Sequence, residues 1–138
     1  MWPRVTRYGG AVGVLAIGLD HLDQLTAQYY SAIPTIGTLF VLNVVAAAVV
    51  AVALVAPVPP GHGRAVRLAA ALAGIALAAG SLAGLVLSLT TGLFGFSEAG
   101  LRPALDLAAV LDLATMALLT AHVALTRGGV RAPLAHAG

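Results

Sequence analysis

Asp20, His21, Asp23 and Gln24 stand within five residues, in Gly-Leu-Asp-His-Leu-Asp-Gln-Leu, directly after a long apolar run. Carboxylates and an imidazole so close together can hold a proton, a small cation or a metal ion. At about 100° per helical residue, Asp20, His21, Asp23, Gln24 and Gln28 share an arc of about 160°. Leu19, Leu22 and Leu25 point the opposite way. The spacing predicts two amphipathic helical turns, with leucines toward lipid and polar groups toward neighbouring helices.

The rest of the chain says what must position these groups. Of 138 residues, 60% are hydrophobic and only 9% charged, with a mean hydropathy of +1.00. Long apolar stretches of this kind read as transmembrane helices, and the length suits one membrane domain without a soluble catalytic domain. Cysteine is absent, which excludes disulfides, thiolate metal sites and cysteine nucleophiles. All seven basic residues are arginine. With so much Ala, Gly, Val and Leu, that usage suggests a GC-rich bacterial genome and a bacterial plasma membrane. The sequence pI of about 9.7 reflects arginines scattered at segment ends rather than a nucleic-acid surface, so no nucleic-acid partner is expected. A cleaved leader is not expected either, because Asp-His-Leu-Asp-Gln would occupy its cleavage region.

Four segments are long enough to span: roughly 8–28, 34–56, 66–90 and 103–125. Pro-Val-Pro-Pro-Gly-His-Gly-Arg and Gly-Phe-Ser-Glu-Ala-Gly-Leu-Arg-Pro-Ala separate the later ones. The expected fold is all-α, an up-down-up-down transmembrane four-helix bundle. Arg4, Arg7, Arg64, Arg67, Arg127 and Arg131 then fall on one side and Arg102 alone on the other. The positive-inside rule therefore predicts that both termini are cytoplasmic. Trp2 and Tyr8 would mark the inner interface, and Tyr29, Tyr30, Phe94 and Phe96 the outer one.

Lipid tails are as apolar as leucine, so helices here associate through close packing of small residues. Ala70, Gly74, Ala78, Ser81, Gly84, Ser88 and Thr91 form such a stripe on the third helix.

Depth brings the polar groups together. With a rise of about 1.5 Å per residue, Asp20, His21, Asn43, Ser81 and Asp112 all lie ~3–5 Å outside the midplane. Asp23, Gln24 and Asp106 form a second layer roughly 4–9 Å further out, and Glu98 and Arg102 sit at the outer mouth. An aspartate at the centre of a span costs about 2.5–3.5 kcal/mol, so such groups turn inward and pair. Four aspartates face one histidine in this half. Protonation, a bound cation, water or Arg102 folding inward must offset the surplus negative charge.

Three readings follow: a hydrogen-bonded network that fixes helix register, a proton or cation site, or a ligand or cofactor pocket. A metal site from His21, Asp20 and Asp112, with Asp23, is the weakest form of the second, since one histidine serves it. His122 lies about 12 Å to the other side of the midplane, so bis-His haem ligation through His21 and His122 is not expected. His122 is predicted to snorkel or to cap its helix end. His62 and His136 fall in loops.

Several short motifs resemble a group of small four-helix integral membrane proteins of actinobacteria. They are His21-Leu22, Tyr29 or Tyr30 in the next loop, Ile36 to Asn43, and Gly92 to Gly95. The resemblance implies the four-span architecture and draws attention to the outer half; it carries no activity. The function expected from the residues is binding or passing a proton or small cation at an outward-facing acidic pocket, without catalysis. The alternatives are an accessory or structural subunit of a larger membrane complex, or homo-oligomer, docked through the small-residue stripe, and a membrane redox or lipid-modifying enzyme.

Overall fold

The computed structural model describes residues 1–28, 30–59, 61–100 and 102–128. Tyr29, Arg131 and His136 lie outside the described residues. Four long helices make up the described chain: α1 (Trp2–Ala27), α2 (Pro34–Val55), α3 (Gly63–Thr90) and α4 (Pro103–Gly128). A short 3-10 turn, Tyr30–Ala32, joins the first two. Pro3 and Pro34 sit in first turns, where a missing N–H breaks no helical bond. The first helix therefore starts six residues before the expected boundary, and Arg4 and Arg7 lie within it rather than ahead of it.

Three helices, Pro34–Val55, Gly63–Thr90 and Pro103–Arg127, are long and apolar enough to cross a membrane. Helix α1 has the length but carries the polar turns of the Asp20 stretch.

Helix α1 packs on α2 and α4, and α3 packs on α4 and α2; α1 and α3 touch only lightly. The core is small-residue and aliphatic: Ala11, Val14, Ala47, Val50, Ala51, Leu54, Ala70, Ala71, Leu119 and Val123. Leu119, fully buried, is its central knob. A Cβ at Gly10 would overlap its side chain, and one at Gly74 would lie 2.6 Å from its Cδ1. Further along α1, a Cβ at Gly13 would strike the Thr115 hydroxyl, and one at Gly18 would come within 2.8 Å of Ala47. Close approach is thus bought by glycines of α1 as well as by the α3 stripe. Of that stripe, Ala70, Gly74, Ala78 and Ser88 are buried while Thr91 is exposed.

Helix α3 stops at Gly92, whose φ of +82° carries its N–H to the Leu87 carbonyl at 2.8 Å. A Cβ there would also approach Ser97 Oγ to 2.7 Å. Gly92→Val is therefore expected to lower the melting temperature, and an unchanged melt would show that this turn is not held as described.

Two ends can be told apart. Pro3, Arg64 and Thr126 meet at one, the arginine end. Tyr30, Glu98 and Arg102 meet at the other, the tyrosine end.

Candidate functional site

The tyrosine half of the bundle holds the polar layer. His21 is buried, and its Nδ1 lies 2.9 Å from the Ile17 carbonyl of the preceding turn. That contact assigns the proton to Nδ1 and leaves the Nε2 lone pair facing Ser81 Oγ of α3, at 3.5 Å. The Phe40 ring of α2 packs edge-on at 4.8 Å. One turn further along α1, Gln24 is buried and donates through Nε2 to Asp20 Oδ2 at 2.6 Å.

Asp112 on α4 is 1% exposed, and among the described residues neither carboxylate oxygen has a hydrogen-bond partner. The Ser81 hydroxyl stands beside it outside hydrogen-bonding geometry, with Asp20 in Coulombic reach. Thr115 Oγ1, one turn on, and Asn43 Oδ1 on α2 are likewise buried without partners. Buried polar atoms are almost always hydrogen-bonded, because an unmet one costs about 1–3 kcal/mol. Four such oxygens, on Asp112, Thr115 and Asn43, are more than packing alone requires of so small a bundle.

Two expected members lie elsewhere. Asp23 is exposed: the buried face of α1 centres between His21 and Gln24, and Asp23 falls about 130° from that line. Asp106 is exposed in the first turn of α4, where a carboxylate complements the helix dipole. Gln28 falls just past the end of α1 and is exposed.

A cavity of about 460 Å³ opens between α2 and α3. It runs from Tyr30 and Glu98 past Gln24, His21, Asn43 and Ser81 to Leu77. Gly80 lines it, and a Cβ built there meets no atom within 4 Å. The α3 stripe thus changes role along its length, packing tightly at Gly74 and leaving space at Gly80 and Ser81.

The mouth is lined by a hub on Tyr30, which is buried. Its hydroxyl donates to Glu98 Oε1 and accepts from Arg102 Nη2 at 2.5 Å. Arg102 also donates to Gln28 Oε1 at 2.9 Å and pairs with Glu98 at 3.4 Å. Arg102 is therefore engaged at the mouth and does not fold inward to offset the aspartates. Tyr30 itself is turned into the bundle rather than out to its surface.

Burial, and then the Glu98 carboxylate, push the Tyr30 phenol up to about 12 from its ordinary 10.0. A raised phenol means that folding favours the neutral form. The associated stability is complete below pH ~10 and is lost as the pH climbs toward ~12. The melting temperature of the wild type should fall across that window, and Tyr30→Phe should flatten the fall. An equally steep fall in the variant would place its origin in another group.

Among the described residues, no three His, Asp or Glu side chains gather as a metal site requires. His21 and His122 stand in opposite halves. His122 neither snorkels nor caps: it is buried, and its Nδ1 meets the Pro3 carbonyl at 3.0 Å, pinning the start of α1 to α4. Its partner lies 119 residues away, so no local pattern announces the contact. Comparison with protein-family models, curated proteins and solved structures finds no match.

Proposed function

We propose that this chain is a four-span protein of the bacterial plasma membrane, kin to the small actinobacterial proteins it resembles. In this reading the helices run up-down-up-down and the arginine end is cytoplasmic. Its polar layer binds a proton at Asp112 and passes it toward the outer face. The observation that carries this is the buried Asp112 carboxyl, with both oxygens unpartnered among the described residues. In a low-dielectric interior such a group is held as the neutral acid or balanced by a cation. With Arg102 engaged elsewhere and no metal-binding cluster among the described residues, the proton is the cation that fits. Ser81, His21 and the cavity extend from it toward the mouth as exchangeable groups and room for water. The membrane reading is supported by α2, which exposes Val41, Leu42, Val45, Val49 and Val52 around its flank.

The test is reconstitution in liposomes loaded with a pH-sensitive dye. An imposed pH gradient should collapse faster with wild-type protein than with empty liposomes, and Asp112→Asn should return the rate to that of empty liposomes. Equal rates for wild type and Asp112→Asn would refute the proposal.

A further inference from the structure

The arginine end carries a second concavity, of about 680 Å³, that the proton reading does not use. Arg4 and Arg7 enter it from α1, Arg64 and Arg67 from α3, and His122 and Arg127 from α4. Five guanidinium groups from three helices converge on one space. The five acidic side chains of the chain, Asp20, Asp23, Glu98, Asp106 and Asp112, belong to the other half. Among the described residues, none of the five arginines pairs with a carboxylate.

Topology alone asks for arginines near the cytoplasmic surface, each free in water. It does not ask for them to be buried. Arg7 is only 9% exposed, and its Nε, like that of Arg67, is buried with no hydrogen-bond partner among the described residues. The Arg7 guanidinium is braced over the Tyr8 ring at 4.6 Å. Arg64 is held through one Nη to the Thr126 carbonyl at 3.2 Å. His122 Nδ1 donates to the Pro3 carbonyl at 3.0 Å. A planar fork with an unmet buried N–H, repeated on two helices, is the geometry that binds phosphate oxygens.

We propose that this concavity is a binding site for a phosphate group, with Arg7 and Arg67 gripping it and Arg4, Arg64 and Arg127 supplying long-range attraction. The chemistry is that of a phosphate mono- or diester anion, from an anionic lipid headgroup or from a free phosphate compound. Trp2 and Tyr8, largely exposed at this end, suit a headgroup at an interface. The site does not depend on proton passage.

Thermal unfolding tests it with two probes on the purified full chain. One is nanodiscs of phosphatidylglycerol against phosphatidylcholine. The other is inorganic phosphate against chloride at equal ionic strength, in detergent. The expected result is a higher melting temperature with at least one phosphate probe. Arg7→Gln and Arg67→Gln should each weaken the apparent affinity about tenfold or more, whereas Arg4→Gln should change it much less. Arg7→Lys, which retains the charge, covers the case in which Arg7→Gln fails to fold, and it too should bind more weakly because it lacks the fork. Stabilisation by the lipid alone assigns the site to a headgroup; stabilisation by inorganic phosphate as well assigns it to a phosphate group whatever its source. Absence of stabilisation by both probes overturns the proposal. So does stabilisation that Arg7→Gln, Arg7→Lys and Arg67→Gln all leave intact. None of these outcomes bears on the Asp112 flux assay.

Discussion

Leu119→Ala should cost about 2–5 kcal/mol of stability, among the largest losses available to a single side chain here. Leu119 is fully buried and fills the space that Gly10 and Gly74 leave open on two other helices. In a bilayer the unfolded helices lie in an equally apolar solvent, so most of this loss is lost packing rather than lost burial. The geometry also predicts coupling. Gly10→Ala alone forces its new Cβ into Leu119 and should cost about 1–3 kcal/mol. In Gly10→Ala/Leu119→Ala the methyl enters space already vacated, so the double variant should lose less than the sum. Unfolding titrations of the four proteins measure the cycle, and simple additivity would mean that the two side chains do not meet.

Asp112→Val runs the other way. Valine has about the volume of aspartate and no polar atoms to leave unmet. If Asp112 is kept for proton binding, removing it should stabilise the bundle by about 1–3 kcal/mol while abolishing proton passage. If the carboxyl instead held the helices together, the same change would destabilise. Melting temperature and flux measured on one preparation separate these outcomes. Thr115→Val, which removes another unpartnered oxygen, should stabilise to a similar or smaller extent.

The helices were legible because membrane spans announce themselves through long apolar runs bounded by Pro and Gly. The layer was legible in part. Asp20, His21, Asn43, Ser81 and Asp112 could be set at one depth, with Gln24 further out, because the rise per residue is fixed. Asp23 and Asp106 were misplaced for a common reason: a wheel gives angles on one helix but not which angle meets a neighbour. Once His21 and Gln24 define the buried line of α1, Asp23 has to face out. The Tyr30–Glu98–Arg102 hub and the His122–Pro3 contact lie beyond such reasoning, since both join residues distant along the chain. The burial of Arg7 was hidden because its helix begins earlier than the apolar run. The glycines of α1 were visible as residues, but only the crossing partners Leu119, Thr115 and Ala47 reveal their role.

The separation of the charges has an electrical consequence. Five arginines crowd one end of the described chain, while every acidic side chain belongs to the other half. The molecule is therefore electrically polarised from one end to the other. An interior-negative voltage does work of about 2.3 kcal/mol per elementary charge per 100 mV on charge carried across the full membrane. In the proposed orientation, with the arginine end inside, that voltage would favour the inserted orientation and oppose inversion. Under the proposed function, a proton moving between the mouth and Asp112 would cross only part of the field, so its occupancy at Asp112 would be a fractional readout of voltage as well as of pH.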